Sequence, residues 1–388
     1  MTVLFFGSGH PDWLAKLGTL ADVVPVVKDK HAWRYSGWHP LYRVAELASA
    51  DEVARVGLPV ALAHSASRLV TLTEAAMLPV ALLRQSLDLP GQPVEEAVRF
   101  TNKFVMKRHL QRAGIPMAEF RPVHAGSELA TVGLDVPFVV KPFVGAGGVG
   151  VHRIDTAADW RAWAATAGAG GYLAERWLPI RSELHCDAVV IDGTVVFCAV
   201  SQYFQPLLVA AGAPLGGYVL TKADPRAQLA RDLHRDVVTA LGLHSGVTHL
   251  ELFELADGLV FGEIACRPGG GGITASVQAA TGVDLVTAAL ELQLGRRPTV
   301  TAHSPEASYA WLGMPARPGT VREISDVAEL LGIEGVFAAT NHYAPGERIA
   351  GRTTSTFHAT TLLLRVADPA EFSAVRQRVE QRYRLAVT

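Results

Sequence analysis

The chain is short of cysteine, of net charge and of long apolar runs, and each shortage removes a class of function. Its 388 residues hold only three cysteines, Cys186, Cys198 and Cys266, and these lack the spacing of a zinc site. Such sparse usage suggests a reducing compartment, and a cytoplasmic location is expected. The formal charge of −2 gives no electrostatic case for a nucleic-acid partner or an acidic membrane surface. No apolar stretch reaches membrane-spanning length, so no membrane partner is expected, and Met1–Phe6 is too short for a signal peptide. Internal repeats, low-complexity linkers and a convincing nucleophile triad are also missing.

What is present is a chain long enough for two or three domains. Thr2–Phe6 reads as a buried strand with Gly7-Ser8-Gly9-His10-Pro11 as its turn. Strand and helix patterns then alternate to about Leu89, which predicts a small α/β domain with a parallel sheet. Leu89-Pro90-Gly91-Gln92-Pro93 punctuates the chain. Beyond it Thr101 is expected to cap a helix that Gly114 and Pro116 terminate. Asp224-Pro225 opens another, with Leu229, Leu233, Val237 and Leu241 inward and Gly242 as terminator. A strand-rich core runs to about Arg267, followed by a helical stretch near 275–294 and a mixed tail from Ser308.

Two stretches carry chemistry. In VPFVVKPFVGAGGVGVHRI (136–154), Gly145, Gly147 and Gly150 have the G-x-G-x-x-G spacing of dinucleotide sites. Context argues against that reading. The strand Phe138-Val139-Val140 leads in, but the alternating segment Val149–Ile154 leads out as a second strand, and a helix starts only near Asp155 or Thr156. The glycines thus close a hairpin, with no helix N-terminus to meet a pyrophosphate. Small residues there leave backbone N–H groups free to converge on phosphate oxygens, and Lys141 adds charge from the leading strand.

The second stretch is THLELFELADGLVFGEIACRPGGGGI (248–273), two alternating strands around Ala256-Asp257-Gly258. A three-residue loop with Gly258 left-handed sets Leu255 opposite Leu259, Phe253 opposite Phe261 and Glu251 opposite Glu263. On that register the two acids share one face with Phe253 and Phe261, and His249, Ala265 and Arg267 have the same parity. Facing carboxylates repel without a cation, and they suit Mg²⁺, a hard ion that takes oxygen ligands. Arg267 then enters the Pro268–Gly272 loop, a place for further backbone donors.

Assembled, these parts resemble the ATP-grasp superfamily, in particular its carboxylate–amine ligases of the amino-acid and dipeptide type. The resemblance covers most of the chain. It implies an α/β and α+β architecture, the ATP-grasp fold preceded by a Rossmann-like domain. The expected divisions are 1–95 for the Rossmann-like domain, 96–305 for the ATP-grasp core with its glycine-rich lobe at about 118–175, and 306–388 for a C-terminal α+β subdomain. NKFVMKRHLQRAGIP (102–116) looks like the family helix whose lysine, here Lys103, contacts a phosphate. FVVKP (138–142) matches the strand bearing the nucleotide lysine, Lys141, and Gly145, Ala146, Gly147, Gly148 and Val149 match the mobile loop over the phosphates. YLAERWLP (172–179) is similar to the interlobe linker, so Glu175, Trp177 and Leu178 would hold adenine and Glu183 the ribose. Glu251 and Glu263 fall on the magnesium acids, and Arg267 on the catalytic arginine of the acyl-phosphate step. His249, Gly270 and Gly271 are further substrate-side candidates.

The resemblance implies ATP and Mg²⁺ as cofactors, with Mn²⁺ as an alternative ion. It also implies small-molecule carboxylate and amine substrates, and it is compatible with a homodimer. Two departures stand out: Ala265 replaces the asparagine common two residues after the second acid, and Ile180-Arg181-Ser182 lacks the usual linker glycine. His249, opposite Ala265 by register, is a candidate substitute. The apolar loop 201–218 suits a neutral substrate group, and Arg317, Arg348 and Arg352 are candidate carboxylate anchors. The leading expectation is an ADP-forming ligase of small-molecule or natural-product biosynthesis. The alternatives are a bicarbonate-activating carboxylase component and a non-catalytic ATP-binding protein. In all three, the 145–150 loop should exchange its amide hydrogens freely without nucleotide and become protected with MgATP. Equal protection in both states, by hydrogen-exchange mass spectrometry, would count against a phosphate lid.

Overall fold

The N-terminal strand Thr2–Gly7 is apolar on both faces, as a strand covered by helices on each side must be. In the computed structural model it lies inside a parallel four-stranded sheet. The strand order is Tyr42–Val44, Asp22–Lys28, Thr2–Gly7, Arg68–Val70. The helices Ala50–Ala63 and Glu74–Ser86 pack with it, their buried residues joining Leu4, Phe6 and Val26 in one core. The structure describes residues 1–208, 212–304, 307–349 and 357–388. Arg352 and positions 209–211 of the apolar loop therefore lie outside the described residues.

A second, antiparallel sheet carries the glycine-rich hairpin. Its order is Phe120–Val123, Tyr172–Arg176, Phe138–Pro142, His152–Ile154. The outgoing strand is shorter than expected, beginning at His152, because Gly147, Gly148 and Gly150 all take positive φ. The helix Ala157–Thr166 starts with a reciprocal Thr156–Asp159 capping box and buries Trp160 and Trp163 against this sheet.

The third sheet is the scaffold of the site. It has eight strands, and its first three in order are Gly258–Ala265, Gly246–Leu255 and Ser182–Ile191. Strands from the C-terminal part, Ser308–Pro315, His358–Val366 and Val336–Asn341, complete its far side. A smaller three-stranded sheet accompanies them. Among the described residues no single helix is long and apolar enough to cross a membrane.

Three sequence expectations need correction. Asn102, not Thr101, caps the helix Lys103–Arg112: its side chain accepts from the backbone N–H of Phe104 and Val105, while Thr101 ends the preceding helix. In Pro225–Leu241, Leu229 is exposed and His234 takes the inward place, because the buried stripe runs Ala227, Ala230, His234, Val237, Val238, Leu241. The hairpin turn is also tighter than the expected three-residue loop. Leu255 pairs with Gly258, so only Ala256 and Asp257 lie in the turn.

His234 makes the fold sensitive to acid. It is fully buried with Nε2 2.8 Å from Thr248 Oγ1, and burial pulls its pKa down to about 4. Burial also pulls down His31, to about 4. Groups neutral in the fold but protonated in the unfolded chain favour unfolding as pH falls from about 6.5 toward 4. Between pH 7 and pH 5 the urea midpoint of the His234→Gln variant should thus rise relative to that of the parent protein. An unchanged difference between the two would remove His234 from the account.

Candidate active site

The acids meet, though by a different route from the one the alternation implied. Glu251 pairs directly with Glu263, and His249 with Ala265. From the two-residue turn the register runs Glu254–Leu259, Phe253–Val260 and Leu252–Phe261, and a bulge then restores the acids to one face. The extra residue is Gly262, where a Cβ would lie 3.0 Å from the Glu251 carbonyl oxygen. Phe253 and Phe261 are consequently not opposite one another. Phe261 turns to the core face, fully buried with Leu250, Leu252 and Ile264.

The strand Ser182–Ile191 lies on the other side of Gly246–Leu255 and continues the pattern. His185 stands beside Glu251, and Asp187 beside His249. Two rows therefore cross three strands: His185, Glu251, Glu263 and, next to it, Asp187, His249, Ala265. Asp187 has no exposed surface, and its two oxygens accept from Nδ1 of His185 at 2.6 Å and Nδ1 of His249 at 2.9 Å. These three side chains bring ligand-type atoms within 4.8 Å of one another, and they spend those atoms on mutual hydrogen bonds. His249 Nε2 lies 3.7 Å from Glu251 Oε1. Burial opposes the imidazolium, but Asp187 and Glu251 outweigh it and raise His249 to about 9. Glu183, on the strand Ser182–Ile191, is pushed up to about 8 by burial and by Glu251, and its carboxylate accepts from Leu207 N–H at 2.8 Å.

Cations arrive from two other elements. Lys103, at the first position of its helix, lies 2.7 Å from Glu263 and also contacts the Gly145 carbonyl of the glycine loop. Lys141 reaches 2.9 Å from Glu175 and 3.9 Å from Glu263. Burial works against its charge, but Glu175, Glu263 and Glu251 hold its pKa above the ordinary lysine range. Lys107, fully buried one turn on from Lys103, lies 3.3 Å from Glu175 and 5.3 Å from the Phe261 ring centroid. The Glu175 carboxylate is thus placed between two ammonium groups. Trp177 donates its backbone N–H to Pro137 and stacks under Arg153, and Leu178 comes next in the linker.

Arg267 leaves the same end of the hairpin and is held by Glu74, the first residue of the helix Glu74–Ser86, with Nε and Nη2 at 2.8 and 2.7 Å. The loop after it presses onto the histidine cluster. A Cβ at Gly269 would lie 2.8 Å from Asp187 Oδ1, and one at Gly271, where φ is +63°, 3.0 Å from Trp311. Gly270 sits between them. Arg317 and Arg348 are exposed.

Paired carboxylates faced by lysines, with a glycine-rich loop bonded to one of those lysines, form a donor set suited to a polyphosphate carrying a hard cation. A family model described as "ATP-grasp domain" matches residues 108–281. The chain contains an ATP-grasp domain. An L-arginine-specific L-amino acid ligase of Bacillus subtilis is 27% identical over 375 residues, 94% of this chain and 91% of that protein. The crystal structure of an L-amino acid ligase from Bacillus licheniformis superposes with a TM-score of 0.81 at 18% identity, covering 100% of this chain and 98% of the other. A carboxyaminoimidazole ribonucleotide synthase from Aspergillus clavatus, complexed with ATP, gives 0.78 at 20% identity over 98% and 97%. The ATP-grasp fold is therefore shared with ligases of more than one kind.

Several residues of this site are not evident from the sequence patterns. Lys107 carries an available signal, since positions four apart on a helix share a face. His185 and Asp187 continue from Glu183 at the period of a strand. Glu74 has no local signal, because its contact with Arg267 is made only by the tertiary fold.

Lys107 and Glu175 supply a direct test of the charge arrangement. Removing one member of a buried pair leaves an uncompensated charge, so Lys107→Met should cost about 3 kcal/mol in urea unfolding. A double-mutant cycle with Glu175→Gln should return a coupling of about 1–3 kcal/mol. Additive effects would mean that the two charges stabilise the fold independently.

Proposed function

We propose that this protein is an ADP-forming ligase that converts a small-molecule carboxylate, of amino-acid type, to an acyl phosphate and passes the acyl group to an amine. The reading is carried by one observation: Glu251 and Glu263 stand abreast with Lys103 and Lys141 against them and Arg267 at the end of the same hairpin. The amino-acid class is suggested by the two L-amino acid ligases that the chain resembles.

Position suggests the roles. Lys103 and Lys141 pair with the terminal phosphates, and the N–H groups of Gly145, Ala146, Gly147, Gly148 and Val149 close over them. Glu175 holds Lys141 and Lys107 in place, with the backbone at Trp177 and Leu178 beside the base and Glu183 toward the ribose. Glu251 and Glu263 fit Mg²⁺, or Mn²⁺ in its place, which when bound neutralises phosphate oxygens and polarises the transferring group. His249 stands opposite Ala265, fixed by Asp187 and next to Glu251. Arg267, aimed by Glu74, stabilises charge that builds up on the transferring phosphoryl group, and the Gly270–Gly271 backbone borders the acyl side.

Phosphate release measured over paired amino-acid libraries tests the reaction class. One ADP and one phosphate should appear per amide formed, only with Mg²⁺ or Mn²⁺ present. AMP and pyrophosphate would replace the reading with adenylation, and turnover that requires bicarbonate instead of an amine would make the protein a carboxylase. Glu251→Gln and Glu263→Gln should each lower kcat by at least a hundredfold while the far-UV circular dichroism is unchanged.

A further inference from the structure

Around Cys266 and Val247, next to Arg267 in the chain, lies a cavity of about 250 Å³ lined by none of the residues assigned to the reaction. It opens between the helices Glu74–Ser86, Val94–Thr101 and Leu285–Gln293, with Cys266 and the 244–247 segment as further walls. Two buried side chains of opposite charge line it, Arg84 and Glu96, which are 4% and 3% exposed.

Neither has an ionic partner among the described residues. Arg84 gives Nε and Nη2 to the Leu69 carbonyl at 3.0 and 2.9 Å, while Nη2 to Gln293 Oε1 and Nη1 to the Gln92 carbonyl are both long, at 3.5 Å. Glu96 accepts from Gln92 Nε2 and from His244 N–H, each at 3.1 Å. All of these partners are neutral. Gln92 touches both charges, through its carbonyl on one side and its amide on the other, so the guanidinium and the carboxylate flank one residue. Burial, with Arg68 adding to it, lowers Arg84 only to about 10, which leaves it charged at neutral pH. The sequence makes room for it: at Gly91, where φ is +150°, a Cβ would stand 2.8 Å from Arg84 Cδ. Met77, Val247, Ala289 and Leu292 form an apolar part of the wall, and Thr71, Ser245 and Gln293 a polar one.

A buried cation and a buried anion, each without a counter-charge and both in contact with Gln92, are complementary to a ligand carrying both charges. We propose that this cavity is a second binding site, distinct from the catalytic one, for a free amino acid with an apolar side chain. Its carboxylate pairs with Arg84, its ammonium with Glu96, and its side chain lies against Met77 and Leu292. The site does not depend on the ligase reading. It does touch the same elements, because the helix that bears Met77 and Arg84 also bears Glu74, and Cys266 immediately precedes Arg267.

Cys266 reports on occupancy. In a Cys186→Ser, Cys198→Ser background, its modification by a small maleimide is tracked by mass spectrometry with L-leucine, L-methionine, N-acetyl-L-leucine, L-leucinamide or inorganic phosphate as probe. Leucine or methionine at ~10 mM should slow labelling at least fivefold, whereas the two singly charged analogues and phosphate should not. Glu96→Gln, and Ala289→Met which fills the cavity without touching either charge, should abolish protection. Equal rates with and without amino acid, protection by phosphate or by a singly charged analogue, or protection that survives both variants would overturn the proposal. If Cys266 does not label, equilibrium dialysis with radiolabelled leucine decides. The variants should bind one leucine fewer per chain than the parent, and equal stoichiometry overturns the site.

Discussion

Two carboxylates on neighbouring strands cannot move apart without breaking the ladder that holds them, and the rest of the site is arranged around that fixed repulsion. Glu251 and Glu263 are locked in register by the hairpin. Their charges are met from three directions: Lys103 from a helix N-terminus, Lys141 from the glycine-loop sheet, and His249 from within the same strand. Without nucleotide these contacts balance the acids. A polyphosphate carrying a divalent ion would exchange for them, giving the acids a cation and the lysines an anion. The same groups therefore serve the empty and the loaded site.

This arrangement requires parts that are distant in sequence to meet. The lysines belong to the helix Lys103–Arg112 and the strand Phe138–Pro142, the acids to the large sheet, and the partner of Arg267 to the helix Glu74–Ser86. Phe261 links two of them. Its backbone N–H donates to the Pro116 carbonyl at 2.8 Å, and its ring lies near Lys107. The bulge that turns Phe261 inward thus both anchors the helix-bearing segment and brings Glu263 up beside Glu251.

Much of this is legible in the sequence because it rests on short-range rules. The strand at His152–Ile154 distinguishes the glycine hairpin from a dinucleotide turn, which would lead into a helix, and alternation combined with a three-residue loop pairs the acids and sets His249 against Ala265. The three-residue loop expected for that pairing is not the one formed. A three-residue turn and a two-residue turn with a bulge at Gly262 leave the acids in the same register, and a lone glycine in a strand does not distinguish them. Asn102 is hard to pick out as the cap because Thr101 is equally acceptable there by residue type. Glu175 shows the limit most clearly: its position in the linker is recognisable, but its engagement by two lysines depends on a helix and a strand that only the fold brings together.

The central claim is that a substrate carboxylate, activated at the Glu251–Glu263 pair, becomes an acyl phosphate. Its most direct test uses a carboxylate substrate labelled with ¹⁸O in both carboxyl oxygens. One labelled oxygen should appear in the inorganic phosphate for each amide formed, as read by mass spectrometry of the released phosphate. Phosphate free of label at full amide yield would contradict the account.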